Sequence, residues 1–281
     1  MPELPEVENV KNGLNQIIVG KKIFAVEVLW NNIIANPEEP AQFIERLKGK
    51  NFSEVDRRGK FLLFHIENLL LISHLRMEGK YEWVKHSAPL SKHTHVRFIC
   101  DGGMDLRYND VRKFGRMSLI EASKINKIDS LNKLGPEPFK ESFVLDEFVK
   151  ELKKHKKSIK AVLLDQTAVA GLGNIYCDEV LFDAAIHPVS SAEQLSVKET
   201  KNLHHSILKI MNKAVEQGGT TIRTYKNAFG KSGNFQNNLK VYGKEGTACQ
   251  RCGQTIDKIK VAQRGTHVCI NCQKLKKGEV E

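Results

Sequence analysis

Residues 52–84 read FSEVDRRGKFLLFHIENLLLISHLRMEGKYEWV, a succession of short apolar stretches with turn residues such as Gly59 and Gly79 between them and no helical repeat. Apolar runs of this length, punctuated by turns, predict β-strands. The pattern predicts strands over 52–57, 60–66, 69–75 and 79–84, and continues through 95–100, 104–108 and 116–120, with Asp101-Gly102-Gly103 as a hairpin turn. Closely spaced strands without intervening helices imply an antiparallel sandwich or barrel rather than a parallel sheet.

Helices flank this block. Val7, Val10, Leu14, Ile17 and Ile18 recur at helical spacing up to Gly20, a strand follows over Lys22 to Trp30, and a short helix spans about Ala41 to Leu47. Near Leu134-Gly135-Pro136-Glu137-Pro138 two prolines interrupt regular structure, and the chain beyond is helical, over about 145–154, 158–166 and 174–184. A capping box, Ser196-Val197-Lys198-Glu199, opens a further helix that ends at Gly218-Gly219. Residues 218–238 form a polar, glycine-containing loop long enough to suggest a functional role. The fold class expected is α+β, with domains at 1–134, 135–240 and 241–273.

The 281 residues carry a net charge of +11, which favours a polyanionic partner. Residues 1–134 hold 21 basic and 17 acidic side chains, residues 135–281 hold 23 and 16, and the last 64 alone hold 12 and 4. The acidic start lacks the apolar stretch of a signal peptide, and no apolar run approaches the roughly 20 residues of a membrane span. Cys100 and Cys177 lie in apolar contexts, and the other four cysteines are paired as C-x2-C, so a reducing compartment is expected.

Cys249-x2-Cys252-x16-Cys269-x2-Cys272 matches a four-thiolate zinc site in both pair and loop spacing. Four protein ligands leave no open position, so one structural ion is expected. Arg264-Gly265-Thr266 lies in the central hairpin of that finger, where Arg264 reaches a phosphate or is simply an exposed turn residue. Gly171-Leu172-Gly173-Asn174 precedes a helix start, which reads as a phosphate site or as a plain cap. Ser73-His74-Leu75-Arg76-Met77-Glu78-Gly79 and Asp110-Val111-Arg112-Lys113-Phe114-Gly115 each set a bulky apolar residue beside a basic one. Met77 and Phe114 are therefore either core residues or wedges for a base stack.

At the start stands Met1-Pro2-Glu3-Leu4-Pro5-Glu6. Proline and glutamate are good first-turn helix residues. With Met1 removed, Pro2 also becomes a secondary amine able to attack an electrophilic carbon. An α-amino group titrates near about 8 against about 10.4 for lysine, which leaves far more of it neutral and nucleophilic.

Together these stretches, with Arg58-Gly59-Lys60-Phe61 and Gly173-Asn174-Ile175-Tyr176, resemble the bacterial formamidopyrimidine-DNA glycosylase family over nearly the whole chain. The resemblance implies a β-sandwich with flanking helices, a helical domain with a helix-two-turn-helix motif, a β-hairpin zinc finger, and DNA between the domains. It implies a monomeric, cytoplasmic, nucleoid-associated base-excision enzyme with double-stranded DNA containing oxidised purines as its partner. The activities implied are those of a DNA-formamidopyrimidine glycosylase and an apurinic or apyrimidinic site lyase. On this resemblance the Pro2 amine attacks C1′ of the damaged nucleotide and Glu3 protonates the sugar ring oxygen. Glu6 supports that end; Lys60, His74, Asn174 and Arg264 hold phosphates; and Lys160 assists near the active site as a DNA contact. Met77 fills the space of the flipped base, Arg112 pairs with the orphaned cytosine and Phe114 wedges beside it. A loop including Thr220, Arg223, Thr224 and Tyr225 meets the oxidised base. Two alternatives stand at this point: an endonuclease VIII type of glycosylase for oxidised pyrimidines, which usually has glycine in place of Leu4, and a non-catalytic zinc-finger protein that binds damaged DNA.

Overall fold

Glu3 and Glu6 close a capping box at the start of α1 (Leu4–Ile18), a helix that buries Val7, Val10, Leu14 and Ile18 along one stripe. Each such side chain contributes roughly 1.5–3 kcal/mol on burial. The computed structural model describes residues 1–139, 141–220 and 233–275. They divide into two compact units, Met1–Asn132 with Gly218–Asn234, and Lys133–Gln217 with Phe235–Glu281.

In the first unit, β1 (Ile23–Val28), β2 (Ile34–Asn36), α2 (Pro40–Leu47), β3 (Phe52–Arg58), β4 (Phe61–Ile66) and β5 (Leu69–His74) follow α1. After them come β6 (Lys80–Lys85), β7 (Thr94–Cys100), β8 (Met104–Asn109), β9 (Arg116–Glu121) and the four-residue α3 (Asp129–Asn132). Two sheets form, one of order β1-β7-β8-β6 and one of order β2-β9-β5-β4-β3. Every pairing is antiparallel except β2 with β9, which is parallel. Phe52, Phe64, Phe98, Leu106 and Tyr108 from both sheets share one core with α1 and α2. β5 is buried from Leu69 through Ser73, which explains its unbroken apolar run. The seven strands expected over 52–120 are all present within a residue or two; β2, three residues long, is the strand the pattern did not indicate.

The second unit holds α4 (Leu145–Leu152), α5 (Ile159–Leu164), α6 (Asn174–Asp183) and α7 (Val197–Glu216), then the hairpin β10 (Asp257–Val261) and β11 (Arg264–Val268). Ser196 and Glu199 close the capping box of α7. Between α5 and α6 the irregular chain over 165–173 is tied together by one side chain. Gln166 Nε2 donates to Leu163 O, Leu164 O and Leu172 O, and its Oε1 accepts from Gly171 N at 2.8 Å. α6 is buried on all sides, from Ile175 to Phe182, and that stretch includes Asp178 and Glu179. No helix among the described residues is long and apolar enough to cross a membrane.

Candidate nucleic-acid and catalytic site

Pro2 is buried just ahead of α1, and Met1 is 48% exposed. Glu3 and Glu6 are each 2% exposed. One Glu6 oxygen accepts the Glu3 N–H at 2.7 Å; the other accepts the Thr220 N–H at 2.7 Å and its hydroxyl at 3.1 Å. Gly219 lies against the same carboxylate with φ +79°, and a Cβ there would come within 2.5 Å of Glu6 Oε1. Glycine is required on both counts. Thr220 is thus tied to the N-terminal end of α1. Arg223, Thr224 and Tyr225, expected beside it, lie outside the described residues.

Strand register sets Arg58, His74 and Arg116 in one row with Phe61. Arg58 pairs with Phe61, Phe61 with His74, and His74 with Arg116 across β3, β4, β5 and β9. Paired residues share a sheet face. Lys60 precedes this row and is 8% exposed. Burial, followed by the charges of Arg76 and Lys60, pushes the His74 pKa down to about 3. His74 is therefore neutral at physiological pH. Its Nδ1 accepts the Arg76 N–H at 2.9 Å, which places the ring proton on Nε2 as a donor. Behind the row, Arg57 Nε pairs with Glu8 at 2.7 Å and Arg57 Nη1 donates to Gly59 O at 3.0 Å, joining α1 to the turn that carries Lys60.

Met77 and Phe114 sit on the surface, 39% and 48% exposed, so the core reading of both gives way to the loop reading. Arg112 is also exposed, and its guanidinium lies 4.6 Å from the Phe114 ring centroid. The Asp110 carboxylate, beneath this loop, accepts three main-chain N–H groups: Arg112 at 3.0 Å, Phe114 at 2.8 Å and Gly115 at 2.8 Å. The buried Tyr108 hydroxyl has no hydrogen-bond partner among the described residues and fills space between the two loops. A Cβ on Gly79 would lie 2.1 Å from that hydroxyl, and one on Gly115 1.8 Å.

In the second unit Arg264 opens β11 on the exposed side of a two-residue turn, Ala262-Gln263, whose φ values are +49° and +59°. Two left-handed residues give the tight hairpin that Asn-Gly usually supplies, here without glycine. Asn174 Nδ2 donates to Gly265 O at 2.9 Å, so the start of α6 and the Arg264 turn are joined directly. Lys160 departs from the expectation that it contacts DNA. It is fully buried, with its ammonium on Asp178 at 2.6 Å and the Thr266 hydroxyl at 2.7 Å. Burying an amine is costly unless it is hydrogen-bonded, and through these two partners Lys160 bridges α6 and the hairpin. Asp178 also accepts the His267 main-chain N–H, and Glu179 accepts those of Lys240, Val241 and Tyr242 at 2.8–2.9 Å. The acidic pair inside the apolar run Ile175 to Phe182 is the sequence signal for these anchors; the three N–H groups that satisfy Glu179 leave none.

The four cysteines fit a zinc ion. Their sulfurs lie within 4.8 Å of one another, with Cys249 to Cys272 at 3.9 Å and Cys252 to Cys269 at 3.5 Å. Tetrahedral thiolates about 2.3 Å from zinc stand about 3.8 Å apart. All four positions are protein-filled, so the ion is structural.

A sandwich with a Pro-Glu start, a glutamine-tied linker between two helices and a four-cysteine hairpin together describe a class of DNA-repair glycosylases. Family models match along the chain: the formamidopyrimidine-DNA glycosylase N-terminal domain over 1–117, the H2TH domain of the same enzymes over 134–226, and a zinc finger found in FPG and IleRS over 246–275. The chain belongs to the formamidopyrimidine-DNA glycosylase family. It is 52% identical over 274 residues to the formamidopyrimidine-DNA glycosylase of Latilactobacillus sakei, covering 97% of this chain and 98% of the relative. It is 51% identical over 276 residues to that of Enterococcus faecalis, covering 98% of each. The crystal structure of wild-type Lactococcus lactis Fpg with DNA containing N7-benzyl-Fapy-dG superposes with a TM-score of 0.92 at 46% identity, over 98% of this chain and 100% of that one. A complex of Lactococcus lactis Fpg with DNA containing an abasic site gives the same score and identity, over 97% and 100%.

Proposed function

We propose that this chain excises oxidised and ring-opened purines from duplex DNA and cuts the resulting abasic site, acting as both glycosylase and lyase. The observation that carries this reading is the buried Pro2-Glu3 start of α1, braced by Glu6. A protein that only binds damaged DNA needs no such terminus.

The chemistry requires Met1 to be removed. The Pro2 nitrogen then forms a bond to C1′ of the flipped nucleotide as the bond from C1′ to the base breaks. Protonation of the ring oxygen by Glu3 opens the sugar and leaves an iminium. The iminium acidifies the C2′ hydrogen; its loss expels the 3′-phosphate, and a second elimination expels the 5′-phosphate. Hydrolysis releases Pro2. Lys60, neutral His74 through its Nε2 hydrogen, Asn174 and Arg264 hold phosphates of the damaged strand. Met77, Arg112 and Phe114 occupy the helix where the base has left, and Arg112 reads the orphaned cytosine. Thr220, held at the N-terminal end of α1, meets the oxidised base. The relatives are bacterial enzymes, and we place this one in the cytoplasm, on the nucleoid.

Borohydride converts the iminium into a stable amine, so it tests the reading directly. A duplex with 8-oxoguanine opposite cytosine is expected to give a covalent protein–DNA band in which the DNA is attached to the Pro2 nitrogen, as mass spectrometry of the N-terminal peptide reads. Attachment at any other residue overturns Pro2 as the nucleophile.

A further inference from the structure

The Asp110 carboxylate acts through main-chain N–H groups, and it governs the loop that carries Arg112 and Phe114. It is 1% exposed, while Val111 and Phe114 are 57% and 48% exposed. Its two oxygens collect the N–H groups of Arg112, Phe114 and Gly115, so the main chain turns inward and the side chains turn outward. Lys113 adopts φ +58°, a left-handed conformation that a non-glycine residue takes only when its surroundings impose it. Two further contacts fix the carboxylate's own backbone: Asp110 N donates to His93 O at 3.0 Å, and His95 Nε2 lies 2.7 Å from Asp110 O. At the far end of the loop, Gly115 packs against the Tyr108 hydroxyl, so the loop is pinned at both ends.

We propose that Asp110 is a positioning residue that sets discrimination of the base opposite the lesion. Reading a base edge demands a guanidinium placed to within a fraction of an ångström. Arg112 is long and exposed; its guanidinium lies against the Phe114 ring, and the Asp110 carboxylate fixes the direction of its main chain. The proposal rests on the reading above that Arg112 meets the orphaned base.

D110N is the informative substitution because it preserves size and removes one acceptor. Asparagine offers one oxygen and one amide nitrogen. The nitrogen must face either the Arg112 N–H or the Phe114 and Gly115 N–H groups, and donor meets donor in both cases. The measurement is kcat/KM on duplexes with 8-oxoguanine opposite cytosine and opposite adenine, with R112A alongside. Lyase turnover on a single-stranded abasic oligonucleotide, which has no opposite base, is measured in parallel. D110N is expected to reduce the cytosine-to-adenine preference at least about tenfold, as R112A does, and to change single-strand lyase turnover less than about threefold. Preference retained in D110N overturns the proposal. Loss of preference and lyase activity together also overturns it, because Asp110 is then a fold residue. If R112A itself keeps the preference, the assignment of Arg112 fails and the proposal falls with it. Failure of the wild type to process 8-oxoguanine is a separate result, which strikes the proposed function.

Discussion

Glu6 and Thr220 are 214 residues apart in the chain, yet one carboxylate oxygen of Glu6 accepts both the main-chain N–H and the hydroxyl of Thr220. The other oxygen holds the Glu3 N–H. The end of the first helix and the start of the loop expected to meet the base are therefore held by one side chain.

E6Q tests that arrangement. The substitution replaces an acceptor by a donor at one of the two ends, leaving a buried N–H opposed. A buried group left unsatisfied costs about 1–3 kcal/mol. Chemical denaturation is expected to show that loss, and borohydride trapping on 8-oxoguanine DNA is expected to slow more than thermal stability alone accounts for. Unchanged trapping would show that the tie is dispensable.

Lys160 and Arg264 separate support from contact. Breaking a buried pair by removing one partner costs about 3–5 kcal/mol, because the other charge stays buried. K160M, which leaves Asp178 without its ammonium, is expected to lower stability by that amount while leaving the salt dependence of DNA binding unchanged. R264A and K60A are expected to do the reverse, reducing the slope of log K against log salt by about 0.9 for each lost phosphate contact. A K160M protein with a reduced slope would return Lys160 to the DNA surface.

Metal removal tests the finger. The hairpin has a small core of its own around Cys249, Ile256 and Cys269, with Phe182 and Val241 against it. The zinc–thiolate bonds therefore carry much of its ordering. Exhaustive chelation is expected to release one zinc per chain and abolish DNA binding, and zinc readdition to restore it. Binding that survives verified metal loss overturns this role.

Acid stability reports on His74. Burial, then Arg76 and Lys60, lower its pKa to about 3 from the ordinary 6.5. The unfolded chain therefore takes up this proton first. Stability is lost as pH falls below about 6.5, and the loss grows until about 3. The difference in unfolding free energy between wild type and H74Q is expected to be constant above pH 7 and to move in favour of H74Q between pH 6 and 4. A difference independent of pH would show that His74 is not held neutral.

Most of the sandwich was legible because strands buried on one or both faces carry their burial pattern in the sequence, as Leu69 to Ile72 does. β2 escaped because three residues are too few for an alternation to show. The zinc cysteines were legible because the chemistry dictates their spacing. Lys160 was misplaced because its sequence neighbours give no hint of its partners: Asp178 lies one helix away and Thr266 in the hairpin. The same holds for Asp110 and Glu179, whose partners are main-chain N–H groups that every residue but proline possesses.

The Tyr108 hydroxyl occupies the volume that side chains at Gly79 and Gly115 would need. A Cβ at Gly79 would also meet Leu75 O at 2.5 Å, whereas one at Gly115 meets Tyr108 alone. Among relatives the Gly79 position should therefore stay glycine whatever stands at 108. A homologue with alanine at the Gly115 position is expected to carry a smaller residue than tyrosine at 108. The geometry of a surface expected to face DNA is thus recorded as a pairwise covariation beneath it.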